Sequence, residues 1–130
     1  MSQFTGRCHC GKNEFSAQAA PQFQFICYCD DCKSLNSSGH LCGMLFEESD
    51  VQQAQHTQCY SYAGGSGDSI ELHFCSDCGT HLYAKPLHYP NKLVIRANTL
   101  TEGEFNPQQI LFSESAFPWD APLALDESTR

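Results

Sequence analysis

The sequence predicts a mainly β fold, built of short antiparallel strands with one or two short helices. Most segments are short apolar or alternating runs punctuated by Gly, Pro, Ser and Asn. No run carries a three-to-four-residue apolar period beyond about two turns, so long amphipathic helices are excluded. Seven of the nine cysteines fall into three tight groups, Cys8-His9-Cys10, Cys27-Tyr28-Cys29-Asp30-Asp31-Cys32 and Cys75-Ser76-Asp77-Cys78, of the kind that hold small β folds together through a metal.

In chain order, strands are predicted over Asn13 to Ala17, Phe23 to Tyr28, Leu41 to Phe46, Gln58 to Tyr62, Ile70 to Phe74, Thr80 to Ala84, Leu93 to Ala97 and Ile110 to Ser113. Alternation is clearest in Ile70-Glu71-Leu72-His73-Phe74. A short helix is predicted over Asp31 to Asn36, capped by Asp30 and stopped near Gly39. A helical turn is predicted around Glu48 to Gln53, entered from Glu47 or Ser49. Ala63-Gly64-Gly65-Ser66-Gly67-Asp68 reads as a hairpin loop. Residues 1–130 read as a single zinc-binding domain, with about 124–130 as a flexible tail.

The cysteine groups read as metal sites rather than disulfides. The N-terminus has no apolar signal segment and no stretch is long enough to span a bilayer, so a cytoplasmic chain with reduced thiols is expected. Neighbours in Cys-x-Cys are badly placed to bond each other, and nine is an odd count. Seven thiolates suffice for one closed four-thiolate zinc site and one three-thiolate site with an open position, with iron as the rival metal. Spacing alone does not fix the partition: Cys8 and Cys10 could pair with Cys27 and Cys29, and Cys42 or Cys59 could close the middle group. Gly11 and Gly79 follow their clusters where a turn needs positive φ, so the first and last groups look like matched knuckles whose backbone N–H groups face the sulfurs. The middle group leads into the predicted helix, whose first amides would stabilise a thiolate at Cys32. The balance of 15 acidic against 7 scattered basic residues, net −8, argues against nucleic acid as a partner.

Gly6-Arg7-Cys8-His9-Cys10-Gly11, Cys27-x-Cys29-x-x-Cys32, Phe74-Cys75-Ser76-Asp77-Cys78-Gly79-Thr80 and the late Pro118-Trp119 together resemble the glutathione-dependent formaldehyde-activating family, in order and spacing from Gly6 to about Pro122. The resemblance implies a zinc-bearing β-tent fold, shared with the methionine sulfoxide reductase B family. It implies a structural zinc on Cys8, Cys10, Cys75 and Cys78 and a catalytic zinc on Cys27, Cys29 and Cys32. It also implies the reversible joining of glutathione and formaldehyde into S-hydroxymethylglutathione, a carbon–sulfur lyase reaction. The chain departs from the family pattern beside the middle group. Tyr28 stands where the family usually has His, Lys33 where it has Arg, and Ser37 where it tends to place Gly, with Gly39 two residues later.

The chemistry of the middle group agrees with a thiol substrate. Three thiolates blunt the Lewis acidity of Zn²⁺ and favour a soft fourth ligand over water. A proton must reach the product hydroxyl, and Tyr28, His40 and His81 are the candidates. Arg7 and Lys33 are candidates to receive substrate carboxylates, with Lys12 also near a cluster. Cys42 and Cys59 read as small buried hydrophobes, His9 and Ser76-Asp77 as parts that orient the knuckles, and Glu47-Glu48 as a solvated edge. His56, His73 and His88 carry no motif. Phe15, Phe23, Phe25, Phe74, Tyr83, Phe112 and Trp119 read as core and sheet-face aromatics. The expected function is a zinc-dependent enzyme acting on glutathione or another small thiol and an aldehyde. The alternatives are a non-catalytic zinc-stabilised binding domain and, more remotely, a methionine sulfoxide reductase-like protein.

Overall fold

The computed structural model describes residues 4–53, 56–65 and 67–120; Ser66 of the hairpin loop and the expected tail lie outside the described residues. Eleven strands and one α-helix follow one another as β1 (Phe4–Arg7), β2 (Glu14–Ala17), β3 (Phe23–Cys27), α1 (Asp30–Asn36), β4 (Leu41–Glu47), β5 (Val51–Gln52), β6 (Thr57–Ala63), β7 (Ser69–Cys75), β8 (His81–Pro86), β9 (Lys92–Arg96), β10 (Leu100–Glu102) and β11 (Gln109–Leu111). Short 3-10 turns occupy Glu48–Asp50, Ala97–Thr99 and Ser113–Ser115. No helix of the described residues is long and apolar enough to cross a membrane.

Two sheets form. The smaller has the order β10-β1-β2-β5 and the larger β11-β3-β4-β9-β8-β7-β6. Every pairing is antiparallel except β11 with β3, where Ile110 lies opposite Ile26 in parallel. That exception to the expected antiparallel pattern arises because the chain crosses from β10 in the small sheet to reach the open edge of the large one. A direct hairpin return would have made the pair antiparallel.

Alternation divides the large sheet into two faces. Met44, Phe46, Tyr83, Leu93 and Ile95 pack against Phe4, Phe15, Ala17 and Val51 of the small sheet to make the core. Phe4 meets Phe46 edge to face at 5.9 Å. The opposite face carries Arg96, which pairs across β4 with Gly43, itself opposite Phe25 on β3. Cys27, two residues beyond Phe25, therefore emerges on the same face as Arg96.

The expected aromatic positions divide. Phe15 and Tyr83 are buried, and Phe23 and Phe25 stack at 5.6 Å on the sheet face. Phe112 and Trp119, expected in the core or on a sheet face, are instead 55% and 73% exposed. Trp119 stacks on Phe117 at 4.9 Å, over the outer side of α1. Glu47 and Glu48 are not simply solvated: Glu47 pairs with Lys92 and Glu48 with Lys85 at 3.0 Å, tying the 3-10 turn to the neighbouring strands.

Helix α1 starts one residue earlier than expected. Its N-cap is Cys29, in extended conformation, whose sulfur accepts the Cys32 N–H, so a ligand thiol replaces Asp30 as the cap. The helix ends at Ser37 rather than near Gly39, and Ser37 takes the left-handed conformation at φ 50°, ψ 43°. Lys33 faces inward from the helix. Its ammonium donates to the Ser115 carbonyl at 2.5 Å, pairs with Asp30 at 3.1 Å and lies 4.0 Å from the Phe117 ring centre.

Candidate metal centre

The sulfurs of Cys8, Cys10, Cys75 and Cys78 lie within 4.8 Å of one another, although 65 residues separate Cys10 from Cys75. The Cys8–Cys10 and Cys10–Cys75 sulfur separations are both 3.6 Å. A tetrahedron of sulfurs with zinc–sulfur bonds of about 2.3 Å has edges of about 3.8 Å, so the residues fit a four-thiolate zinc site. Each half is built by the same backbone device. Cys8 N–H donates to the Asn13 carbonyl at 3.0 Å and Cys75 N–H to the Thr80 carbonyl at 2.9 Å, closing two loops of equal length. Gly11 at φ 82° and Gly79 at φ 80° make the turns that close them. Asn13 N–H faces the Cys8 sulfur, and the N–H groups of Asp77 and Cys78 face that of Cys75, each at 3.4 Å. The two knuckles are joined directly, because His9 N–H donates to the Thr80 hydroxyl at 3.1 Å.

Charge within this cluster is unevenly shared. The Thr80 hydroxyl, with backbone help, draws the Cys78 thiol down to about 5. Cys10 is pushed up to about 12: a backbone N–H from Lys12 favours its thiolate, but desolvation and the three neighbouring sulfurs outweigh it. Four thiolates at this spacing need a cation to coexist, which is what zinc would supply.

Two supporting residues carry no sequence motif. Asn13 is 1% exposed; its amide donates to the His56 carbonyl at 3.0 Å and accepts the His56 N–H at 2.9 Å. The His56 ring reaches Asp77 at 3.1 Å, and Asp77 also pairs with Lys12. The start of β6 is thereby fastened to both knuckles. Lys12, weighed as a carboxylate receiver, is occupied by this contact.

The second centre lies at the end of β3. Cys27 is buried, Cys29 caps α1 and Cys32 sits in its first turn, with all three sulfurs within 4.8 Å of one another. Among the described residues no further Cys, His, Asp or Glu joins this group. Cys42 pairs across the strands with Ile26, whose side chain alternates to the face opposite Cys27, and burial raises its thiol pKa. Cys59, expected to be buried, is exposed on β6 near Glu71 and His73.

The helix amide expected to favour a thiolate at Cys32 instead faces the sulfur of Cys29 at 3.4 Å. The Cys32 thiol is raised, first by its contact with Cys27 and then by burial, while Cys27 falls to about 6 because the Cys32 thiol hydrogen-bonds to it. The three sulfurs are close enough to serve as three ligands of one tetrahedral metal ion.

A cavity of about 400 Å³ lies between the end of α1, the Gly79-Thr80 knuckle and the end of β9; α1 links it to this centre, and none of the three cysteines lines it. His40, His81 and Arg96 all line it. Asp120 holds the His40 ring through Nδ1 at 2.7 Å. His81 is held below the usual histidine value by burial and by Arg96, and so is neutral at pH 7. Tyr28 is 1% exposed and packs its ring 5.2 Å from that of His40, behind the cavity wall.

The candidate carboxylate receivers lie elsewhere. Arg7 borders a different cavity, across from Glu14 on the small sheet, and Lys33 has the partners described above. The basic residue at the cavity is Arg96, 5% exposed, whose Nε has no hydrogen-bond partner and whose Nη1 reaches only the Val94 carbonyl at 3.5 Å. Tyr62, on the same face, is pushed up to about 12 by burial and shares electrostatic contact with Arg96, Cys32 and Cys29. Neither residue lies in a cysteine motif; the alternation that places both on the Cys27 face was the available signal.

The profile of the glutathione-dependent formaldehyde-activating enzymes matches residues 3–115, a span that contains both cysteine centres and the cavity. The chain belongs to this family. Among solved structures, the fold of this chain is similar to the crystal structure of a Rhodobacter sphaeroides protein at a TM-score of 0.60 and 19% identity, covering 82% of this chain and 98% of that one. That likeness is one of fold. No curated protein matches the chain significantly. Membership of the family associates the chain with glutathione-dependent formaldehyde activation.

Proposed function

We propose that the protein is a zinc-dependent carbon–sulfur lyase-type enzyme that reversibly joins glutathione, or a closely related small thiol, to formaldehyde. The observation that carries this reading is the three-sulfur group at Cys27, Cys29 and Cys32, with no further Cys, His, Asp or Glu joining it among the described residues; a cavity opens at the other end of α1. In this reading Cys8, Cys10, Cys75 and Cys78 hold a structural zinc, and Cys27, Cys29 and Cys32 hold a catalytic one. When bound there, zinc would keep a thiol deprotonated near neutral pH.

The chain's own residues then have defined tasks. The cavity seats the body of the thiol compound. His81, neutral at pH 7, accepts the proton that leaves the thiol. The sulfur lone pair attacks the formaldehyde carbon, a C–S bond forms and the C=O π pair moves to oxygen. That oxygen takes a proton from the imidazolium of His81, giving S–CH2–OH and restoring the neutral ring. His40, fixed by Asp120, is placed to orient the aldehyde oxygen, and Tyr28 buttresses it from behind. The reverse sequence cleaves the C–S bond.

The test is formaldehyde consumption by the zinc-loaded protein with glutathione, measured against glutathione alone. An excess rate that disappears in His81→Gln, with both metals retained, supports the reading. Equal rates with and without the protein would refute it and favour a zinc-stabilised binding domain.

A further inference from the structure

We propose that Arg96 anchors a carboxylate of the thiol substrate, so that the site accepts thiols carrying a carboxylate and discriminates against neutral ones. This inference rests on the reading of the Cys27, Cys29 and Cys32 centre as a thiol site.

Three observations carry it. Arg96 is 5% exposed, lines the cavity and leaves its Nε without a partner. A buried guanidinium is planar, permanently charged and presents paired N–H donors that match a carboxylate. Leaving such a charge without a counter-ion is costly, and a substrate carboxylate at the part of Arg96 that lines the cavity would supply one.

The second observation is one of elimination. Lys12 pairs with Asp77, Lys33 with Asp30, Lys85 with Glu48 and Lys92 with Glu47, while Arg7 lies across from Glu14 at a different cavity. Among the described residues Arg96 is thus the buried cation that has no carboxylate partner. In a chain of net charge −8, an anionic substrate needs such a local counter-charge to be held at all.

The third is placement. Arg96 shares the Cys27 face of the large sheet through Gly43 and Phe25, and it lies within electrostatic reach of Cys32. An anion held there would leave the rest of a small thiol to extend along that face toward the three sulfurs.

The experiment separates binding from chemistry. The zinc-loaded protein is titrated by calorimetry with S-methylglutathione, which keeps both carboxylates but has no ionisable thiol, and with its diethyl ester. Wild-type protein should bind the free acid roughly 10–100-fold more tightly than the ester, the range expected for a charge-assisted pair. In Arg96→Gln the preference should fall to within about threefold, while Arg96→Lys, which keeps the charge but loses the fork, should retain a part of it. Circular dichroism and zinc content establish that each variant is folded and loaded. If the glutamine variant fails to fold, the wild-type and lysine arms still decide. Equal binding of acid and ester by wild-type protein, a preference unchanged in the variants, or no binding of either ligand would overturn the proposal. Failure of the functional reading itself would show differently, as a carboxylate preference in binding without any faster consumption of formaldehyde.

Discussion

Ser37 is the residue whose replacement should stabilise the protein, and the sign of that effect tests where α1 ends. It sits at φ 50°, ψ 43°, with its N–H shared between the Lys33 and Ser34 carbonyls, in the left-handed cap that closes the helix. An L-residue pays about 1–2 kcal/mol for this conformation, because Cβ crowds the following carbonyl. Glycine escapes that cost but gives the unfolded chain extra freedom, which returns about 0.4–1 kcal/mol. Ser37→Gly should therefore gain about 0.5–1 kcal/mol and raise Tm by about 2–4 °C for a chain of this size. The melt is followed by circular dichroism on zinc-saturated samples of both proteins, since unequal metal loading would shift Tm by mass action. Had the helix continued toward Gly39, position 37 would be helical interior and replacing serine by glycine would cost about 0.5 kcal/mol. A lower or unchanged Tm would thus refute the left-handed cap.

The two cysteine centres should fail differently: Cys78→Ser should unfold or aggregate the protein, since a structural zinc contributes on the order of 10 kcal/mol, whereas Cys29→Ser should stay folded and lose one metal; equal losses of Tm would contradict that division. Asn13→Ala should destabilise by about 2–3 kcal/mol, because it removes both backbone contacts to His56 and leaves buried groups unpaired; a urea midpoint like that of the parent would sink this account. The folded state holds His81 below its unfolded value, so the stability it contributes is complete above about pH 6.5 and is lost as pH falls through the lowered value. Tm measured from pH 7.5 down to 5 should accordingly fall less steeply in His81→Gln than in the parent, and parallel profiles would show that burial of His81 has no such linkage.

Much of this arrangement is written in local sequence, and what is not depends on long-range contact. Eight strands are visible because alternation or apolar runs mark them, as in Ile70 to Phe74. Strands β1, β5 and β10 escape because two to four residues carry no period and are fixed by their partners, as Thr5 is by Ser16 and Glu102. The parallel junction of β11 with β3 has no local signature at all. Cysteine spacing indicates where metals could sit, and folding brings Cys10 and Cys75 together in the partition that the family resemblance implies. The supports are another matter. Asn13 and His56 stabilise the knuckles through contacts spanning 43 residues, which neither residue type announces. Lys33 looks like an exposed cation beside the open centre, yet its stem and charge are spent on Phe117 and Ser115. Arg96 looks like one of several scattered basic residues until the sheet register sets it on the same face as Cys27.

The central claim is that the Cys27, Cys29 and Cys32 centre takes a thiol as its outer ligand. Cobalt exchanged into the protein reports this through thiolate-to-cobalt charge-transfer bands, whose intensity follows the number of sulfur ligands. Addition of millimolar glutathione should change the bands that are absent in Cys29→Ser, either by adding a sulfur or by extracting the metal, and S-methylglutathione should leave those bands unchanged. No change with glutathione, or the same change with both compounds, would contradict the account.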